Sequence, residues 1–180
     1  MITISSEVGQ DGWLSGASRL ESPNCDLRPD GELPSLVIVH AISLPPGEFG
    51  GSEIAQLFCN ELDPKAHPYF AEIHALRVSS HFLIRRDGGL FQFVPCTSRA
   101  WHAGLSRWRG RERCNDFSLG IELEGTDDQP FEDDQYLVLN KVLSSLRRSY
   151  PINEVVGHSD VAPGRKTDPG PCFDWSRVAD

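Results

Sequence analysis

The chain has 180 residues, 39% hydrophobic and 24% charged, and a formal net charge of −9. A chain of that length suits one domain that buries roughly 70% of the surface its unfolded form exposes, without help from a disulfide or a structural metal. The acidic balance excludes binding of nucleic acid or an anionic membrane through a general basic surface, and the local run Arg107, Arg109, Arg111 and Arg113 reads equally well as a solvated loop.

Met1 to Glu7 has neither a basic n-region nor an apolar h-region, and no later stretch approaches the ~20 apolar residues of a membrane span. The five cysteines are odd in number and contain no C-x-x-C pair, so reduced thiols and a cytoplasmic location are expected. Residues 1–34, with Pro23, Pro29 and Pro34, read as an arm wrapping the same domain, with a short helical turn near Trp13. Residues 35–180 read as its body. Ser35 to His40 is a continuous apolar, β-branched run, the pattern of a central strand covered on both faces. Pro45-Pro46-Gly47 then forces a turn.

A helix is predicted from about Ser52 to Leu62, with Ser52 as N-cap, Ile54, Leu57, Phe58 and Leu62 on one face, and Asp63-Pro64 as its end. Val78 to Ile84 and Leu90 to Val94 flank Arg86-Asp87-Gly88-Gly89, a hairpin signal. Ser118 to Gly125 alternates strictly, with Leu119, Ile121 and Leu123 facing one way and Gly120, Glu122 and Glu124 the other. Glu124 reads as a solvated strand face. Asp133 to Ser149 is a helix with acidic residues at its start and Arg147-Arg148 at its end, as the macrodipole favours. Val155 to Gly157 is a short strand leading into Gly157 to Pro171, where three prolines and three glycines forbid a continuous helix. No repeat, low-complexity segment or linker interrupts the chain. The fold class is α/β (α+β), one domain with a central mixed sheet flanked by helices.

His40, His102, His158, Asp160, Asp168, Lys166, Glu122 and Tyr69 occupy strand ends and loops. Two imidazoles and a carboxylate suit a catalytic zinc, with the fourth position open. They also describe the facial triad of non-haem iron enzymes, and His158-Ser159-Asp160 has its H-x-D spacing. No histidine follows His158, however, as that motif requires. Taken singly, each residue has a plainer reading: His40 as a polar strand terminus, Asp168 before Pro169 as a turn former, Glu122 as a solvated face, Trp101 as core. His67, His74 and His81 read as structural or exposed.

The segments Ser43-Leu44-Pro45-Pro46-Gly47, His67-Pro68-Tyr69-Phe70, Arg99 to Gly104, Cys114 to Ser118, Gly120 to Thr126 and Arg165 to Pro171 change that balance. Through them the chain resembles the zinc-dependent N-acetylmuramoyl-L-alanine amidases of the peptidoglycan-recognition fold, over most of its length from about Trp13 to Trp175. The closest resemblance is to the cytoplasmic members that act on 1,6-anhydro-muropeptides.

The resemblance implies one Zn²⁺ per chain held by His40, His158 and Asp168, with Glu122 as general base and Lys166 as oxyanion partner. It implies anhydro-muropeptide as substrate and a role in peptidoglycan recycling, with an indirect effect on β-lactamase induction. For substrate contacts it points to Trp101, His102, Arg113, Arg77, Asn115 and Tyr69. A monomer is expected, without nucleic-acid or membrane partners. The chain departs from the usual family pattern at Ala41, where asparagine is common, and at Gly164, where glutamate is. Two other readings stay open: an amidase acting on intact murein, and a non-catalytic peptidoglycan-binding module, although such modules lack part of the ligand set.

Overall fold

The computed structural model describes residues 7–179, so the first six residues of the 1–34 segment lie outside it. Its centre is a six-stranded mixed sheet of β1 (Ser18–Arg19), β3 (Leu36–Ile42), β4 (Phe82–Ile84), β5 (Leu90–Gln92), β9 (Ser118–Glu124) and β10 (Glu154–Gly157), in the order β1-β5-β4-β9-β3-β10. The pairs β10–β3, β3–β9, β9–β4 and β1–β5 are parallel, and β4–β5 is the antiparallel hairpin. Two small antiparallel ribbons, β2 (Cys25–Leu27) with β6 (Ser98–Ala100) and β7 (Arg107–Trp108) with β8 (Arg111–Glu112), complete the strands. The architecture is the single-domain mixed sheet with flanking helices that the sequence predicts.

Strand alternation divides the core. Val37 and Val39 of β3 and Leu119, Ile121 and Leu123 of β9 pack on one face against Leu139, Val142, Leu143 and Leu146 of α3 (Asp133–Ser149). Gln135 begins this helix by accepting the Glu132 N–H, and its amide donates to the carbonyls of Ile84 and Glu124, tying helix to sheet. The opposite face is covered by α1 (Glu53–Phe58), α2 (Pro68–Ile73) and the one-turn α4 (His158–Val161). Because His40 follows Ile38 by two and Glu122 follows Gly120 by two, both side chains are directed to this second face.

Several expectations are corrected. Near Trp13 there is no helical turn; Val8 bridges Leu14 in an antiparallel turn, and Gln92 fixes it by accepting the Leu14 N–H and donating to the Gly12 carbonyl. The helix predicted to reach Leu62 ends at Phe58, where Asn60 takes a left-handed φ of 62° and exchanges amide hydrogen bonds with Asn24. The six-residue α2 is additional, started by Pro68 at its first position with His67 Nδ1 accepting the Tyr69 N–H. Glu124 is not solvated: it is buried and accepts the N–H groups of Gly50 (2.6 Å) and Arg86 (3.3 Å). The Gly157–Pro171 segment opens with a full helical turn, capped by Asp160, whose Oδ2 accepts the Gly157 N–H at 2.7 Å.

Candidate metal centre and active-site cavity

Register brings the chemistry together. Val39 pairs with Gly157 and His40 pairs with Glu122 across adjacent parallel strands. His158, one residue past Gly157, therefore stands level with His40, and Glu122 stands level with both. Three candidate side chains from three distant parts of the sequence, one just past the end of β10 and the others on β3 and β9, lie in one row. Asp168 joins them from the return of the C-terminal loop, held where its carbonyl accepts the Ser159 N–H at 2.9 Å.

Three donor atoms meet in a triangle: His40 Nδ1 to His158 Nδ1 is 3.0 Å, His40 Nδ1 to Asp168 Oδ2 is 3.2 Å, and His158 Nδ1 to Asp168 Oδ2 is 3.1 Å. A tetrahedral ion with bonds of ~2.0–2.1 Å has ligand-to-ligand edges of roughly 3.3 Å, so the triangle fits such a cation with one position open. Burial holds His40 neutral, lowering its pKa to about 4 against the opposing hydrogen bond that Asp168 accepts. Burial alone would raise the Asp168 carboxyl, but its hydrogen bonds to His158 and His40 outweigh that and keep it well below the usual carboxylate range. A neutral imidazole and an ionised carboxylate are ligand forms that a metal takes.

The triangle opens into a cavity of about 440 Å³. Glu122 lines it, nearly buried, and its Oε2 has no hydrogen-bond partner among the described residues. Burial and then the Asp168 charge raise its pKa well above the ordinary value, with Lys166 opposing. A buried carboxylate oxygen left unpaired calls for an explanation in function. Lys166 lines the same cavity, as do Tyr69, Trp101 and His102. The Trp101 ring is fixed by its Nε1–H donating to Asp26 Oδ1 at 3.2 Å. Further lining residues that sequence reasoning missed include Ser43, Thr126 and Asp127; Ser43 and Thr126 lay inside the resembling segments, while nothing marked Asp127.

Three predicted substrate contacts lie away from this lining. The Arg77 guanidinium donates to the carbonyls of His74, Ala75 and Leu76, at the end of α2. Arg113 pairs with Asp116 and borders a separate groove beside Arg107 and Arg165. Asn115 is turned inward, its Oδ1 accepting the N–H groups of His102 (3.2 Å) and Ala103 (2.8 Å). Arg28, which no motif marked, is half-buried and donates to the carbonyls of Cys96, Asn115, Asp116 and Ser118, so it clamps the segment that carries Asn115.

Comparison with known proteins places these features in a family. The model of the N-acetylmuramoyl-L-alanine amidase family matches residues 30–171. The 1,6-anhydro-N-acetylmuramyl-L-alanine amidase AmpD of Escherichia coli (strain K12) is 59% identical over 170 residues, 93% of each chain. The crystal structure of a selenomethionyl AmpD derivative superposes with a TM-score of 0.92 at 59% identity, covering 94% of this chain and 98% of that one. The E. coli amidase AmiD, solved in complex with the substrate anhydro-N-acetylmuramic acid-L-Ala-D-γ-Glu-L-Lys, is 30% identical at a TM-score of 0.59, over 94% of this chain and 63% of its own. With sequence and fold shared along nearly the whole of the AmpD relatives, the chain belongs to the N-acetylmuramoyl-L-alanine amidase family.

Proposed function

We infer that this chain is a zinc-dependent hydrolase of the amide between 1,6-anhydro-N-acetylmuramic acid and L-alanine in muropeptides, working in peptidoglycan recycling. The observation that carries the reading is the His40–His158–Asp168 triangle facing a cavity in which Glu122 keeps an unpaired, buried carboxylate oxygen. The names of the most similar relatives support the substrate, and the AmiD complex supports the anhydro-sugar with its stem peptide. The five cysteines are free, as a reducing cytoplasm would keep them, and no helix among the described residues is long and apolar enough to cross a membrane. A monomer acting on a small soluble substrate fits these features, with the segment before residue 35 folding as part of the one domain.

Zinc bound by His40, His158 and Asp168 supplies Lewis acidity, polarising the scissile carbonyl and acidifying a water. Glu122 takes the proton of the attacking water on its free oxygen and returns it to the leaving amine of L-alanine. Lys166, exposed at the rim, offers its ammonium to the oxyanion of the tetrahedral intermediate. Tyr69 offers a hydroxyl in the same cavity as a weaker partner, and the fixed face of Trp101 suits stacking of the sugar. The test is mass-spectrometric analysis of anhydro-muropeptide after incubation with metal-stripped and zinc-restored protein. Release of the free stem peptide is expected only with zinc; equal cleavage by the stripped protein would sink the reading.

A further inference from the structure

Both histidines of the triangle turn Nδ1 inward, so each must carry its proton on Nε2 for Nδ1 to be a ligand. What receives those two Nε2–H groups then decides whether the ligand tautomers are fixed. His158 Nε2 lies 3.2 Å from the carbonyl of Ala103, and His40 Nε2 lies 2.9 Å from Nδ1 of His102. The receivers are consecutive residues. A carbonyl accepts in only one sense, which sets His158. For His102 to accept at Nδ1 it must bear its own proton on Nε2, and that nitrogen faces the Ser118 hydroxyl at 3.3 Å. The protons thus have one consistent arrangement, running from His40 through His102 to Ser118.

The backbone under the pair is pinned by a single atom. Asn115 Oδ1 accepts the N–H of His102 and of Ala103, and Arg165 donates to the Ala103 carbonyl from the other side. Behind the His102 ring, Gly120 leaves the room it occupies: a Cβ there would stand 2.6 Å from His102 Cγ.

We propose that His102 and Ala103, held by Asn115, form the outer shell of the metal centre, fixing the tautomers of His40 and His158, and that His102 and Asn115 are positioning residues rather than substrate contacts. Outer partners of ligating histidines are commonly worth 10–100-fold in metal affinity. The proposal rests on the ligand set inferred above.

The experiment is zinc affinity of the full metal-stripped chain, measured by chelator competition, in wild type and in His40→Ala, His102→Leu, His102→Asn, Asn115→Ala and Asn115→Asp. His102→Leu removes the acceptor, whereas His102→Asn returns an oxygen near the position of Nδ1. We expect His102→Leu and Asn115→Ala to weaken zinc binding by about 10–100-fold, and His102→Asn and Asn115→Asp to restore most of it. Circular dichroism of the stripped proteins identifies any variant that fails to fold, and the other position then decides. Wild-type affinity in a folded His102→Leu or Asn115→Ala, or equal loss in the Leu and Asn variants of His102, overturns the outer-shell role. If His40→Ala binds zinc as tightly as wild type, the ligand set itself is wrong and the proposal falls with it.

Discussion

At the scale of single residues, the proposed site separates groups placed to hold a metal from one placed to react. His40, His158 and Asp168 have their donor atoms spent on one another, whereas Glu122 keeps a buried oxygen with nothing to bind. In the proposed reading, a group of the second kind is expendable for the metal and indispensable for the chemistry. Glu122→Gln, close in shape and unable to take a proton, is expected to retain one zinc per chain while turnover of anhydro-muropeptide falls by about 10²–10⁴-fold. Metal analysis beside steady-state kinetics checks both halves, and loss of zinc in the variant would make Glu122 a ligand instead of a base.

At the scale of elements, β9 carries more than its share, because its two faces serve different purposes. Leu119, Ile121 and Leu123 bind the sheet to α3, while Gly120 and Glu122 on the other face admit a histidine ring and present a carboxylate. Gly120→Ala adds a methyl group 2.6 Å from His102 Cγ and 2.7 Å from Ser80 Oγ, and the His102 ring is held between His40 and Ser118. Overpacking of this kind is expected to cost about 1–3 kcal/mol, read as a lower urea midpoint at unchanged m-value. A midpoint equal to wild type would show that the ring has room to move.

This strand was legible in the sequence because its period of two is unbroken, and α3 because acidic and basic ends bracket a regular stripe. His40, Glu122 and Lys166 stood out for the same local reason, as polar groups where a strand or loop gives them direction. What the sequence hid is set by distant partners. The early end of α1 depends on the Asn24–Asn60 amide pair, and Glu124 is buried because the backbone of Gly50 and Arg86 comes to meet it. Arg28 finds its carbonyls between 68 and 90 residues away, a contact no window of sequence contains.

At the scale of the whole molecule, the second face of the sheet stores neutral imidazoles. His81, away from the triangle, accepts the Gly120 N–H at Nδ1 and faces the Ser98 carbonyl at Nε2; burial, reinforced by the nearby Arg28 charge, lowers its pKa from 6.5 to about 3. The unfolded chain therefore binds a proton below pH 6.5 that the folded chain refuses until about pH 3. Stability from this group is complete above pH 6.5 and falls as pH drops through that window, with a slope of at most about 1.4 kcal/mol per pH unit for each such histidine. Urea titrations of metal-free protein from pH 7 to pH 4 are expected to show the decline, and His81→Asn to flatten it. A midpoint independent of pH over that range would contradict the buried neutral state.

The pairing of His40 with Glu122 and of Val39 with Gly157 has a consequence for how this molecule tolerates change. The proposed ligand and base are aligned by counting residues along neighbouring ladders, and a ladder shifts in whole steps. Inserting or deleting one residue within β3 turns His40 toward α3 and moves it off the level of Glu122, however conservative the residue added. The Ser43–Gly50 turn carries no such count. A library that varies loop length there and leaves β3, β9 and β10 untouched should reshape the cavity wall while the row of reacting groups keeps its frame.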